Sequence, residues 1–194
     1  MDHQHPASDS TLPLPAWGHG SGLIRLGEAV APSDPIACAD RLLFSERLAR
    51  YCWSYDERRA DLLGACFTED GIWEGNVLGR FPIGPFAGRE RIVTWLSEFW
   101  PHQKDQRRHM LLNTLVEAQT PTTAVTLSYL ILMSSKGEHP SIETIGFYRT
   151  EQAKEGEQWL IHRLTAGFDA PFWPGDEKKM SPKGRARHGL GLNT

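Results

Sequence analysis

The feature that most constrains this fold is a change of hydrophobic period partway along the chain. From Ile36 to Tyr55, apolar residues recur at helical spacing: Ile36, Ala39, Leu43, Leu48, Tyr51, Cys52 and Tyr55. That spacing predicts one buried stripe on a long helix. Ser33-Asp34-Pro35 supplies its start, with Asp34 as N-cap and Pro35 in the first turn. A short second helix is expected over residues 59–66, with Leu62, Leu63 and Phe67 inward. A third opens at Gly88-Arg89-Glu90 and carries Ile92, Trp95, Leu96 and Phe99 on its apolar face, until Pro101 ends it. Beyond it the period becomes two. Residues 107–118, 122–134, 141–151 and 157–167 read as four successive strands, separated by Thr120-Pro121, Lys136-Gly137 and Glu155-Gly156. Ile72-Trp73-Glu74 reads as a further strand, and the Gly- and Pro-rich residues 75–88 as a loop. Three helices, one short strand and an antiparallel run make an α+β pattern. A strongly curved sheet wrapped around a helix leaves a cavity on its concave side.

The 194 residues suit one domain with extensions. Residues 1–34 are rich in proline and glycine and are expected to be a flexible arm. The folded domain is expected over 35–170, with a Pro-, Gly- and Lys-rich tail over 171–194. A net charge of -3 gives no reason to expect nucleic acid or an anionic membrane as partner. No apolar run is long enough to span a bilayer, and the N-terminus does not read as a signal peptide. Cys38, Cys52 and Cys66 form no Cys-x-x-Cys pair and are expected to be buried free thiols of a cytoplasmic protein.

Two segments about fifty residues apart carry the candidate chemistry. One is Tyr55-Asp56-Glu57-Arg58-Arg59-Ala60-Asp61, where the first long helix ends. The other is Arg107-Arg108-His109-Met110-Leu111-Leu112-Asn113, where a strand begins. A carboxylate and an imidazole brought together there form a proton-abstracting dyad. An acidic residue at a helix C-terminus is mildly unfavourable, so something other than the helix retains Asp56. Strand alternation puts residues 109, 111, 113, 115 and 117 on one face, which sets His109 and Asn113 beside Leu111 and Leu115. Plainer roles stay open: His109 bonded to a backbone carbonyl, Asp56 paired with Arg58, Arg59 or Arg108, and Tyr55 as helix packing with a wet hydroxyl. Trp53, Trp73, Tyr129 and Phe147 are candidate pocket linings, though core packing accounts for any one of them singly. Seven Trp and eight Phe together favour an aromatic, hydrophobic ligand. Arg107 and Arg108 can hold an anion or make salt bridges at an edge. His102, His139 and His162 do not have metal-site spacing. Gly18-His19-Gly20-Ser21-Gly22 lacks the strand–helix setting of a phosphate loop. No metal or organic cofactor is expected.

The ordered set of elements resembles the SnoaL-like family of the nuclear transport factor two-like superfamily, over roughly residues 36–170. The resemblance rests on the helix ending Tyr55-Asp56 and on Phe67-Thr68-Glu69-Asp70-Gly71-Ile72-Trp73. It continues with Phe86-Ala87-Gly88-Arg89-Glu90 before a helix, Arg108-His109 with Asn113, and Gln158-Trp159-Leu160-Ile161. Two enzyme types of that superfamily are similar at the key places, scytalone dehydratase and hexachlorocyclohexane dehydrochlorinase. The resemblance implies Asp56 and His109 as a general-base pair in an elimination, with Tyr55 beside them. The dehydratase has a second active-site His on the next strand, where this chain offers Tyr129 or a neighbour. A cofactor-free lyase or isomerase acting on a hydrophobic small molecule is the activity implied. A polyketide-type cyclase and a non-catalytic binding or partner subunit are the alternatives. The resemblance also implies a cone-shaped, curved mixed or antiparallel sheet wrapped around three N-terminal helices and enclosing an apolar cavity. It implies a C-terminal lid over the cone's mouth, for which Phe168-Asp169-Ala170-Pro171-Phe172-Trp173 offers apolar contact, and a homodimer or homotrimer formed through the outer sheet surface.

Overall fold

The computed structural model describes residues 14–170. A short helix, α1 (Trp17–Gly20), precedes the long helix α2 (Pro35–Asp56) and the single-turn α3 (Ala60–Gly64). Then come β1 (Phe67–Val77), β2 (Phe81–Ala87), α4 (Arg89–Ser97), β3 (Gln106–Gln119), β4 (Thr123–Lys136), β5 (His139–Glu155) and β6 (Gln158–Phe168). They form one curved, unclosed six-stranded sheet in the order β2-β1-β6-β5-β4-β3. The β1–β6 pair is parallel and the other pairs are antiparallel. This is the expected α+β architecture.

Helix α2 begins where its capping sequence places it, with the Asp34 carboxylate accepting from the Ala37 amide at 2.8 Å and Pro35 in the first turn. Its first half is rotated from the expected stripe. Ala37, Asp40 and Phe44 face inward, while Ile36 and Leu43 face solvent. Asp40 is tolerated inside because the Trp159 indole donates to it at 2.9 Å and Lys154 lies beside it. From Leu48 through Tyr51, Cys52 and Tyr55 the stripe is as expected. On α3, Leu63 is buried and Leu62 is exposed.

Residues 75–88 are not a loop throughout. β1 extends to Val77, and β2 carries Pro82 and Pro85. β2 is the sheet's edge, where a missing backbone donor costs no ladder hydrogen bond. Residues 14–34 are also not a free arm. Trp17 donates to the Asp169 carboxylate at 2.6 Å and packs on the Phe147 ring at 5.5 Å, with Leu23, Ile24 and Leu127 around it. Residues 1–13 and 171–194 lie outside the described residues, and with them the Pro171-Phe172-Trp173 part of the expected lid. Cys52 and Cys66 are buried free thiols, whereas Cys38 is exposed on the outer side of α2.

The main core lies between the concave face of the sheet and helices α2 and α4. It is dense in rings: Tyr51, Tyr55, Phe67, Trp73, Phe86, Trp95, Tyr148 and Phe168. Among the described residues no helix is long and apolar enough to cross a membrane.

Candidate functional site

The last turn of α2 and the first residues of β3 meet beside this core. The Asp56 carboxylate spans both groups of one residue. Its Oδ2 accepts from the His109 backbone N–H at 2.9 Å, and its Oδ1 lies 2.6 Å from His109 Nδ1. Both side chains are nearly enclosed, with 4% of Asp56 and 9% of His109 accessible. An ionised carboxylate can only accept, so the contact fixes the proton of a neutral imidazole on Nδ1. The lone pair then sits on Nε2, which has no hydrogen-bond partner among the described residues. The misplaced charge at the end of α2 is thus retained by a partner on another element.

Aromatic rings fix the imidazole from two sides. Tyr55 stands edge-on to it at 5.2 Å, and Tyr148 stacks over it at 6.4 Å with 27° between planes. The Tyr55 hydroxyl accepts from Gln103 Nε2 at 2.8 Å, which leaves its own proton for another acceptor. Tyr51, one helical turn before Tyr55, accepts from the Trp73 indole at 3.0 Å. Burial holds the hydroxyls of Tyr51, Tyr55 and Tyr148 above the usual tyrosine range, so all three are neutral hydrogen-bonding groups. Burial, and next the charge of Asp56, push the Cys52 thiol up as well, which keeps it protonated and a poor nucleophile.

The structure brings Asp56, His109, Tyr55 and Trp73 into one interior and leaves the other candidates outside it. Trp53 lies off the α2 stripe, 62% exposed, with the Arg108 guanidinium 5.5 Å above its ring. Tyr129 is on the outer face of β4 and 57% exposed; its inward neighbours Leu130 and Leu132 supply no second titratable group beside His109. Phe147 faces the outside of the sheet under Trp17, while Tyr148, one residue on, faces His109. Asn113 takes φ +51° at a bulge between Leu112 and Leu115. The extra residue resets the alternation, so Thr114 rather than Asn113 follows Leu111 inward and bonds Ser128 at 2.8 Å. Arg107 and Arg108 are engaged with Asp105 and Glu57 at the rim. Tyr51 and Tyr148 are the site groups missed; each was within one helical turn or one residue of a named candidate. Among the described residues no three His, Cys, Asp or Glu side chains converge as a metal set would require.

The SnoaL-like domain profile matches residues 38–165. The chain belongs to the SnoaL-like family. Among curated proteins none matches this sequence. Similar solved structures include a Nostoc punctiforme protein of unknown function with a cystatin-like fold, at 20% identity and TM-score 0.60, covering 76% of this chain and 100% of that one. ActVI-ORFA of Streptomyces coelicolor is similar at 17% identity and TM-score 0.57, covering 66% of this chain and 97% of that one. A Novosphingobium aromaticivorans protein assigned as the beta subunit of an aromatic-ring-hydroxylating dioxygenase is similar at 12% identity and TM-score 0.59, covering 70% and 93%. At these identities the likeness is one of fold. In this SnoaL-like chain the dyad joins the end of α2 to the start of β3.

Proposed function

We propose that this protein is a cofactor-independent lyase or isomerase in which the Asp56–His109 pair removes a proton from carbon. The observation that supports this best is the double hold of Asp56 on His109, at the ring and at the backbone of the same residue. Nε2 takes the proton as the C–H bond breaks, and the electron pair moves into an adjacent carbonyl to give an enolate. Asp56 stabilises the imidazolium that results and keeps the ring from turning. The enolate then expels a leaving group, which is elimination, or accepts the proton back at another carbon, which is isomerisation. Attack on a second carbonyl of the same molecule would be cyclisation, as in a polyketide-type cyclase, from the same first step. The enclosing rings favour a hydrophobic small molecule, with Tyr55 as a donor to it and Trp73 as wall. The protein self-associates as a homodimer or homotrimer.

The test uses the step common to all three outcomes. The protein is incubated in D₂O with 2-tetralone, a carbon acid with activated C–H bonds, and deuterium uptake is followed by proton NMR. The wild type is expected to accelerate exchange, and Asp56→Asn and His109→Ala to lose about 10²–10⁴ of that acceleration, the usual share of a positioned base. Variants that exchange as fast as the wild type, with unchanged melting, would remove the dyad from the mechanism.

A further inference from the structure

The interior holds two buried hydrogen-bond donors for which the described residues supply no acceptor. Elsewhere this chain partners its buried indoles with care. Trp17 donates to Asp169, Trp159 to Asp40 and Trp73 to the Tyr51 hydroxyl. Trp95 and Trp100, on and just after α4, are different. Each has a buried Nε1 with no hydrogen-bond partner among the described residues. Trp95 is 7% exposed, stacked on Phe86 at 4.1 Å and beside Trp73 at 4.5 Å. Trp100 lies one ring from the dyad, 6.0 Å from Tyr55, which itself contacts His109. A buried indole N–H normally finds a partner, and leaving it unpaired is costly. Two such donors in one aromatic cluster with the candidate base are out of keeping with ordinary core packing.

We propose that Trp95 and Trp100 are the polar recognition groups of this interior and hold acceptor oxygens of an uncharged, ring-bearing ketone. This rests on the proposed proton abstraction and narrows its substrate class. An indole donates and cannot accept, so it selects an oxygen without a competing donor requirement. It also carries no charge. The cations nearest the dyad are turned to protein partners at the rim: Arg107 to Asp105, Arg108 to Glu57 and Arg58 to the Gln103 carbonyl. A carboxylate would enter without a counter-charge, whereas a carbonyl meets a neutral donor in a low-dielectric wall. On proton loss at the neighbouring carbon that same oxygen gains charge, and a preplaced N–H stabilises it.

The experiment is a binding comparison that needs no turnover. The wild type is titrated with 1-tetralone, tetralin and 1-naphthoate, and the indole N–H resonances are followed by 1H–15N NMR. The ketone is expected to bind about tenfold more tightly than the hydrocarbon, the size of effect from satisfying a buried donor. It should also move the resonances missing from the spectra of Trp95→Phe and Trp100→Phe. Phe keeps the ring and removes the N–H, so each variant should lower the preference for ketone over hydrocarbon while tetralin binds as before. Equal binding of ketone and hydrocarbon to the wild type, tighter binding of 1-naphthoate than of the ketone, or an intact ketone preference in Trp100→Phe would each overturn the proposal. Trp100 is partly exposed, so its variant is informative even where Trp95→Phe does not fold. His109→Ala should retain the ketone preference. Failure of proton abstraction with that preference intact therefore separates the dyad's role from that of the indoles.

Discussion

At the scale of single residues, the site is a problem of tautomer control. Nε2 is a base only while Nδ1 carries the ring proton, and Asp56 Oδ1 at 2.6 Å enforces that arrangement. Asp56→Asn keeps the shape and alters the donor pattern. Its amide oxygen can still accept from the His109 backbone N–H, leaving its NH₂ facing Nδ1. The ring should then adopt the opposite tautomer, with the proton on Nε2 and the lone pair on Nδ1. Ring 15N shifts are expected to interchange between Nδ1 and Nε2 in this variant, and a ring that keeps its wild-type shifts would show that Asp56 does not set the tautomer. The pair was legible in the sequence because a carboxylate at the wrong end of a helix needs a partner elsewhere. Single-residue parity was less legible. Phe147 packs under Trp17 while its neighbour Tyr148 stacks on His109, and Trp53 lies one position beyond Cys52 on a helix whose stripe it does not share.

At the scale of elements, the helices and the last four strands follow from period and punctuation, while departures from regular geometry do not. The β3 bulge is the instructive case. Strict alternation carries Asn113, Leu115 and Glu117 to the same face as His109, yet one inserted residue sends Thr114 and Val116 inward. Asparagine tolerates the left-handed conformation that this insertion requires, which is a local signal too weak to locate a bulge beforehand. β2 was hidden for a related reason: its prolines look like loop residues until the strand is known to lie at an edge. The bulge gives a stability prediction independent of chemistry. Asn113→Val should destabilise the fold by about 1–2 kcal/mol, because a β-branched residue resists positive φ, and Asn113→Gly should be neutral or slightly stabilising. Denaturant midpoints of the two variants check this. A valine variant as stable as the wild type would mean that the bulge has shifted or is not needed.

At the scale of the whole molecule, the outer face of the sheet is part covered and part open. Residues from Trp17 to Ile24 take the area over Phe147 and Leu127. Toward β3 the face is apolar and open. Register places Met110, Ile131 and Ile145 in one row across three strands and Leu112 beside Tyr129 in the next. Met110 is 42% exposed, Tyr129 57% and Ile145 45%, although they sit mid-strand with apolar neighbours. A contiguous patch of this kind is characteristic of an interface. A second copy of the chain satisfies it by symmetry, since the same rows can meet face to face about a twofold axis. The arm's composition did not reveal its docking, because one tryptophan and two aliphatic residues decide it against a background of glycine and proline. The division of the face implies that Trp17 is part of the fold, whereas the proposed self-association would use Tyr129 and Ile145. Tyr129→Glu combined with Ile145→Glu should therefore convert the proposed oligomer to a monomer by light scattering, with unchanged circular dichroism and unchanged deuterium exchange of 2-tetralone. A wild type that is monomeric at micromolar concentration, or a double variant that keeps its oligomeric mass, would place the interface elsewhere.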